Sequence, residues 1–461
     1  MIKPKKRKFR LFDAVLASVC IVLVVESVVP TAAIGPMQYF WWGLLFLAFF
    51  LPYGLISAEL SSAYQGEGGL FDWVKKAFGI RSGARVAWYY WINFPLWIAS
   101  LATLFTIIYS TIFGYTFNPT IELIVQLGFI WLAIFLSSYR ITESKWIINS
   151  GAIAKIIIIA AIGGLGVWGL LNHGVAVSTV TTNASILGGL SFISIIIFNF
   201  LGFEVMSAFS KDMKNPKREI PKAIIIGGIL IAAFYMFAAF GISVAIPADK
   251  LSLDSGLLDA IGILIGSSTG WVIVTIGLLF MYTMITNLVS WSPGVNYVAM
   301  YAAKNKALPK VFATENKHGM PKGANFINGL LASALVIGGF YLLKSGGDVD
   351  IFWTFFALNV VTFIASYLFL FPAFLKLRKI DPKRPRPFKV LGGKFVITLV
   401  SIVPLVLLIA ALIFTFFPYD SEINALQPDE WLIIGSVSAI VVGEIIGQVA
   451  VMRNWKKRKS S

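Results

Sequence analysis

The chain has 461 residues, of which 58% are hydrophobic and only 13% are charged. Soluble domains carry about 25% charged residues, so this composition excludes a soluble globular protein and predicts an integral membrane protein. With one cysteine and two histidines, the sequence offers no intrachain disulfide and no cysteine metal cluster, and no cofactor is predicted.

The net charge of +16 is explained by the placement of the basic residues. If both termini are cytoplasmic, all of the 38 Lys and Arg residues except Lys155, Lys250 and Lys344 fall on the cytoplasmic side. The positive-inside rule predicts this asymmetry for an even number of spans. The basic excess therefore indicates membrane topology and attraction to lipid, and no nucleic-acid partner is expected.

Twelve apolar windows have the length of about 20 residues that crosses the hydrocarbon core of a bilayer. They cover residues 11–36, 39–63, 86–113, 121–138, 146–171, 186–210, 223–246, 270–300, 324–343, 351–375, 395–417 and 431–452. The basic start followed by an apolar run imitates a secretory signal. Its apolar part is too long for one and continues into a second hydrophobic segment, so we predict an uncleaved first helix.

The connections are too short for a separate folded domain. The longest, residues 64–85 and 248–269, are expected to hold short helices at most. A membrane enzyme needs a group of reactive side chains at one depth, but the two histidines, His173 and His318, fall in opposite loops and there is only one cysteine. We therefore expect a function inside the helix bundle and no enzymatic activity.

Two spans are interrupted by polar or helix-breaking residues. These are Glu26, Ser27 and Pro30 in the first span, and Asn199, Gly202 and Glu204 in the sixth. Such residues are tolerated where the freed backbone groups face a cavity or other protein, so both helices are predicted to be broken. Interruptions at corresponding places in two halves indicate an inverted repeat with a substrate site between the halves.

Each interrupted span carries one carboxylate near mid-membrane, Glu26 and Glu204. A charge there costs about 2.5 to 3.5 kcal/mol on insertion scales, so it is expected to be paired, protonated or in contact with water. A structural hydrogen bond between helices is one explanation for each acid. Two acids at matching breaks favour the other explanation, a site for a cation.

Three stretches resemble the amino acid–polyamine–organocation superfamily, in particular the glutamate/GABA antiporters and their agmatine/putrescine relatives. They are EGGLFDWVKKAFG (residues 67–79), FLGFEVMSAFSKDMKNPKREIPKA (200–223) and SWSPGVNYVAMYAAKNKALPKVFA (290–313). The resemblance implies an all-α, LeuT-like fold of twelve helices, with broken helices 1 and 6 and precursor/product exchange by alternating access. The expected parts are a basic N-terminus (1–10), helices 1–5 (11–171), inverted helices 6–10 (186–375), helices 11–12 (395–452) and a basic tail (453–461).

The resemblance also implies roles for particular residues. Glu204 matches the helix 6 acid that couples substrate binding to gating, Phe198 matches an aromatic that closes over the substrate, and Trp291 matches an aromatic from helix 8. Ring faces bind cations, although ordinary helix packing would also explain both rings. Lys155 matches a helix 5 lysine that replaces a sodium ion in sodium-independent relatives; the alternative is that it snorkels to the surface.

Helix 1 departs from the pattern of many amino-acid carriers. Where those have glycines whose N–H groups hold a carboxylate, this chain has VLVVESVVP, with Glu26 beside the break. Glu26 disfavours an anionic group and favours a second ammonium, so a dication such as agmatine or putrescine is predicted. Glutamate/GABA exchange remains an alternative, as does a non-transporting amino-acid receptor on the same fold.

The remaining expectations concern setting and secondary sites. Glu59 is expected to be a structural gate or helix contact, and Glu444 to pair at a helix or protomer interface. The short tail after the last span leads us to expect operation near neutral pH. The resemblance implies a bacterial cytoplasmic membrane, and the positive-inside rule predicts that both termini lie inside. Whether the protein is a monomer or a homodimer is left open.

Overall fold

The computed structural model describes residues 10–64, 68–139, 141–173, 189–190, 192–205, 215–267, 270–344, 350–420 and 425–459. Parts of the sixth predicted span, of the first two motifs and of both terminal segments lie outside these ranges. The α-helices, in chain order, are α1 Leu11–Val22, α2 Val28–Ala32, α3 Gln38–Leu45, α4 Leu51–Ala63, α5 Gly69–Phe78, α6 Ile80–Phe113, α7 Pro119–Leu136, α8 Ile141–His173, α9 Ile193–Phe198, α10 Pro216–Ala245, α11 Gly256–Ile265, α12 Trp271–Lys304, α13 Lys322–Lys344, α14 Ile351–Tyr367, α15 Leu370–Ile380, α16 Lys394–Phe416 and α17 Glu430–Lys459.

The described residues contain ten helices long and apolar enough to cross a membrane, plus one bent pair. Together they match eleven of the twelve predicted spans. Of the sixth span the structure describes a short apolar piece, Ile193–Val205. The predicted all-helical membrane architecture is confirmed. Its helices extend beyond several apolar windows: α6 begins at Ile80, six residues before its window, because a helix continues past the hydrocarbon into the interface.

The first span is broken after one helical segment. Leu23 and Val24 are extended, and the axes on either side of the break differ by 52°. The chain resumes as a 3₁₀ turn, Val25–Ser27, and then as α2. Pro30 lies in the first turn of α2, where its missing N–H removes no helical hydrogen bond, so the helix restarts at a place that tolerates proline.

The sixth span is broken at a glycine. Helix α9 ends at Phe198, the next four residues are not α-helical, and Phe203–Val205 forms a 3₁₀ turn. Gly202 has φ 107°, a conformation that side chains with a Cβ rarely adopt. A Cβ built on it would meet the Trp291 indole at 2.8 Å, so both the backbone angle and the close approach of the ring require glycine.

Long helices from both halves of the chain pack around these breaks. Helix α6 packs against α12 and α14, α8 against α10 and α12, and α1 against α10. The connections hold short helices, as predicted: α5 lies in the first long connection and α11 in the second. A two-stranded ribbon, β1 Tyr419–Asp420 with β2 Ala425–Leu426, joins α16 to α17.

Candidate functional site

Both breaks line the same small cavity. Its walls come from the α1 break, the α9 break and helices α6, α12 and α14. They consist of Ile21, Val22, Val24, Trp97, Phe198, Leu201, Asn287, Trp291 and Phe363. Phe198 and Trp291, the two aromatics singled out from the sequence, are thus brought together here. Four aromatic rings in the wall suit an organic cation, because the ring faces carry partial negative charge.

Glu204 lies beside this cavity within a cage of three tyrosines. Its Oε1 accepts hydrogen bonds from the hydroxyls of Tyr90 and Tyr367, and its Oε2 accepts one from Tyr53, each at 2.5 Å. The side chain is buried. Three phenolic donors compensate the lost hydration of the carboxylate, since hydrogen bonds to an ionised group are stronger than neutral ones.

The tyrosine cage also forms the boundary between Glu204 and the cavity. The Tyr90 ring lies 6.4 Å from the Trp291 ring and 5.7 Å from the Phe363 ring, and Phe363 lies 5.0 Å from Tyr367. Glu204 is not among the residues that line the cavity. One layer of phenol rings therefore separates the carboxylate from the cavity wall.

Tyr53 joins the cage to the broken backbone of the sixth span. Besides donating to Glu204, its hydroxyl accepts from the backbone N–H groups of Gly202 and Phe203, both at 3.2 Å. These N–H groups have no helical partner because the chain is unwound there. One phenolic oxygen thus satisfies the break and positions the acid next to it.

Glu26 is buried without a hydrogen-bond partner. Its side chain is 4% exposed, and neither carboxylate oxygen has a donor among the described residues. Lys155 acts on it electrostatically. A buried carboxylate that lacks hydrogen bonds is costly, so this position needs a cation or a donor from elsewhere.

Lys155 is fully buried and does not snorkel to the surface. Its ammonium donates to the backbone carbonyl oxygens of Cys20, at 2.7 Å, and Leu23. Asn287 donates to the carbonyls of Cys20 and Ile21, both at 3.2 Å. These two side chains from α8 and α12 thus satisfy the carbonyl groups that the α1 break leaves without helical partners.

Ser27 connects the two breaks directly. Its hydroxyl lies 2.7 Å from the Asn199 side-chain oxygen and 3.2 Å from the Tyr235 hydroxyl. Tyr235 in turn accepts the Val24 N–H at 2.7 Å. The unwound parts of the first and sixth spans are therefore held in one hydrogen-bonded cluster.

A series of aromatic rings leads from the cavity to two acids, Asp254 in the connection between α10 and α11 and Asp350 at the start of α14. Phe198 lies 5.5 Å from Phe356, which lies 5.3 Å from Trp353. The Trp353 indole N–H donates to Asp254 at 2.8 Å. Burial, together with the neighbouring Asp350 carboxylate, raises the pKa of Asp254 above its usual range.

At the other end of the bundle, Glu59 joins α4 to α15 and to the segment that follows it. The buried carboxylate accepts from Arg378 and Arg386 and from the Val390 backbone N–H. Glu444 pairs with Arg85 at the contact between α17 and α6. Both acids make the helix contacts expected of them.

Several members of the site carried no signal in the sequence. The three cage tyrosines lie on α4, α6 and α14, and Asn287 and Trp97, which are joined by a 2.9 Å hydrogen bond, lie on α12 and α6. A tyrosine in an apolar span is common at membrane interfaces and in cores. Selecting these tyrosines would have required the depth of each hydroxyl relative to Glu204. That depth depends on where each helix begins, which the sequence does not specify.

An apolar helix bundle with two interrupted spans joined across a cavity is the architecture of a secondary transporter. The solved structure of MhsT in complex with L-phenylalanine has this fold, with a TM-score of 0.63 and 16% identity, covering 87% of this chain and 98% of that one.

The chain belongs to the amino acid permease family, whose model matches residues 9–441. It is 49% identical over 447 residues to the probable agmatine/putrescine antiporter AguD of Lactococcus lactis subsp. lactis, covering 96% of this chain and 95% of the relative. A glutamate/gamma-aminobutyrate antiporter of the same organism is 25% identical over 433 residues, covering 90% and 84%. The predicted superfamily is confirmed. The chain is a multi-pass membrane transporter and not an enzyme.

Proposed function

We propose that this protein exchanges agmatine for putrescine across the membrane by alternating access. Both are small dications with an apolar linker. The aromatic cavity suits such a linker and its cationic ends. A further support is the 49% identity, along nearly the whole chain, to a relative named as a probable agmatine/putrescine antiporter.

The observation that carries the choice of a dication is that the buried Glu26 carboxylate has no hydrogen-bond donor in the described part of the chain. Two buried acids at two adjacent breaks match two positive charges on one substrate. One acid, Glu204, accepts hydrogen bonds from three tyrosines, whereas Glu26 has no donor among the described residues. An α-carboxylate placed beside Glu26 would be repelled in a medium of low dielectric constant, and an ammonium would be attracted.

In the proposed cycle, the substrate enters the cavity and lies between Phe198 and Trp291. Its two cationic ends pair with Glu204 and Glu26 after the tyrosine cage rearranges. Pairing lowers the cost of closing the cavity around two carboxylates, which gives the loaded carrier an advantage in changing conformation. The empty carrier lacks this advantage, so exchange is favoured over uniport.

Lys155 takes the place of a sodium ion in this proposal. Its ammonium already occupies the carbonyl oxygens of the α1 break, so no ion is required to hold that break together. The hydrogen-bonded cluster of Ser27, Asn199 and Tyr235 gives the two halves, residues 11–171 and 186–375, a shared hinge region. We place the protein in a bacterial cytoplasmic membrane, with both termini inside, as a monomer or homodimer.

Glutamate/GABA exchange is the second candidate, supported by the relative at 25% identity. In that case the carboxylate of the substrate would have to bind close to the Glu26 carboxylate. A receptor on the same fold would bind ligand without moving it.

Counterflow in proteoliposomes tests all three functions. Vesicles are loaded with unlabelled putrescine and labelled agmatine is added outside, with glutamate against internal GABA in parallel. We expect agmatine accumulation that depends on internal putrescine. Glutamate accumulation in place of agmatine would reject the dication site, and binding without accumulation would indicate a receptor.

Two charge-removing variants test the acids. Glu204→Gln is expected to abolish or severely slow exchange, and Glu26→Gln to weaken dications more than monocations. Glu444→Gln is the matched control, because Glu444 is a span carboxylate that pairs with Arg85 and lines no part of the cavity. Wild-type exchange in Glu204→Gln would remove that acid from the mechanism, and equal effects of Glu26→Gln on both substrate classes would reject the two-acid site.

A further inference from the structure

The segment between α15 and α16 has a strongly basic composition that the transport cycle does not use. Residues 376–394 contain eight Lys or Arg and a single acid, Asp381. We call residues 379–396 the basic connector. The arginines of this region contact the rest of the protein, whereas the lysines of the connector are exposed.

The arginines of this region face the protein. Arg378 and Arg386 bind Glu59, and Arg384 donates to the Ala63 carbonyl while its guanidinium lies 4.8 Å from the centre of the Tyr64 ring. Backbone contacts add to these: the Phe388 N–H lies 3.4 Å from the Ser62 hydroxyl. The connector is thus fixed against the end of α4 without using its lysines.

The lysines of the connector are exposed. Lys379, Lys383, Lys389 and Lys394 all point to solvent, and no ion pair or side-chain hydrogen bond joins any of them to another residue in the described part of the chain. A lysine ammonium binds phosphate as a compact point charge, so four exposed lysines in one short segment supply charges suited to phosphodiester groups.

Large apolar side chains alternate with these lysines. Leu391 is 83% exposed and Phe395 78%, and Ile380 is also exposed. Lys394 begins α16, one of the membrane-spanning helices, so this part of the connector lies at the level where the hydrocarbon ends. Exposed apolar side chains among lysines at that level are typical of segments that insert into the interface of a bilayer.

We propose that the basic connector docks on anionic phospholipid, with its four lysines on the headgroups and with Leu391 and Phe395 inserted among the acyl chains. Anionic lipid supplies both the negative charge and the apolar contact that this surface requires. Because the arginines of the same region hold Glu59, docking also fixes the end of α4. The inference concerns lipid and is independent of the transported amine.

A fluorescent probe on the connector tests the proposal in the full-length protein. Gly393 is a suitable labelling position because its backbone is unstrained and a Cβ there meets no atom within 4 Å. Gly393→Cys in a Cys20→Ala background is labelled with an environment-sensitive nitrobenzoxadiazole. The protein is placed in nanodiscs of phosphatidylcholine alone or of an equimolar mixture with phosphatidylglycerol.

We expect a shift to shorter wavelength and protection from iodide quenching in the anionic discs, both reversed by high salt. Each lysine contributes about a fivefold change in the docking equilibrium, so the variant with Lys379, Lys383, Lys389 and Lys394 all changed to Gln should lose the response. The control changes Lys217, Arg218 and Lys222 to Gln; these are exposed cations at the start of α10, and the response should persist.

Three results would overturn the proposal. The first is an equal signal in neutral and anionic discs, and the second is a full response in the four-lysine variant. The third is a signal that follows the number of protein copies per disc and not the lipid charge, which would place a second copy of the chain on this surface.

Discussion

The Tyr53 hydroxyl makes three hydrogen bonds at the centre of the site, and its removal gives the sharpest test of the geometry. Tyr53→Phe takes a donor from Glu204 and an acceptor from the N–H groups of Gly202 and Phe203. By contrast, Tyr90→Phe and Tyr367→Phe each remove one donor to the same carboxylate. The three variants delete the same atom type from equally buried rings, so they serve as controls for one another.

The expected costs follow from the number of groups left unsatisfied. A hydrogen bond to a charged group is worth about 1.5 to 3 kcal/mol, which we expect for Tyr90→Phe and for Tyr367→Phe. Each buried N–H without an acceptor costs a further 1 to 3 kcal/mol or so. The two N–H bonds to Tyr53 are long and share one oxygen, so the lower limits apply and the total for Tyr53→Phe is about 3 to 4 kcal/mol.

The assay is equilibrium unfolding in mixed micelles of increasing SDS fraction, followed by tryptophan fluorescence. Repeating the three substitutions in a Glu204→Gln background separates the two effects. There, the cost of Tyr90→Phe and of Tyr367→Phe should fall, because the charge is gone, while Tyr53→Phe should keep the part due to the backbone. If Tyr53→Phe is no more costly than the other two in the native background, its bridge to the broken backbone does not exist as described.

Three further predictions address other parts of the molecule. Phe198→Leu should raise the half-saturation concentration for agmatine about two- to thirtyfold, the range of a cation–π contact, while Phe198→Trp preserves it; equal affinity in the Leu variant would remove the ring from the site. Glu59→Gln should destabilise the protein by about 3 kcal/mol, because Arg378 and Arg386 lose their buried counter-ion. The exposed pair of Glu315 and Lys304 is the control, for which Glu315→Gln should cost less than about 1 kcal/mol in the same SDS titration. Asp254→Asn should raise the unfolding temperature at pH 7 and have no effect near pH 3. The pKa of Asp254 is raised in the folded state, which therefore binds the proton more tightly than the unfolded state does. The stability of the wild-type protein is thus lost as the pH rises through the folded-state pKa, and the Asn variant avoids this loss. A stabilisation that is the same at both pH values would contradict this assignment.

The sequence was most informative where a residue conflicts with its surroundings. Glu26, Glu204 and Lys155 are charged residues inside apolar spans, and their cost in a membrane predicts that they are buried against a partner or a ligand. Gly202 could be predicted to lie at a helix break, because glycine is a helix-breaking residue and the rest of the span is apolar and favours a continuous helix. These predictions needed no knowledge of which helices are neighbours.

The partners of those residues could not be predicted in the same way. Tyr53, Tyr90 and Tyr367 meet at one carboxylate from three helices that are far apart in the sequence. Periodicity shows which face of a helix is apolar, but it does not specify the depth at which a hydroxyl lies, since helices such as α6 extend beyond their apolar windows. The contact of Lys155 with the α1 carbonyls likewise depends on how α8 crosses the break.

The buried Lys155 ammonium has a consequence for the energetics of exchange. A free ion in the same carbonyl cradle would leave with each turnover and tie transport to its own gradient, whereas a tethered ammonium stays with the protein. In the proposed exchange, in which Lys155 takes the place of a sodium ion, the charge that crosses the membrane per cycle then comes from the cargo alone. One dication exchanged for another moves no net charge, so the membrane potential, worth about 2.3 kcal/mol per charge for each 100 mV, neither drives nor opposes the reaction. The direction of exchange is set by the two concentration ratios.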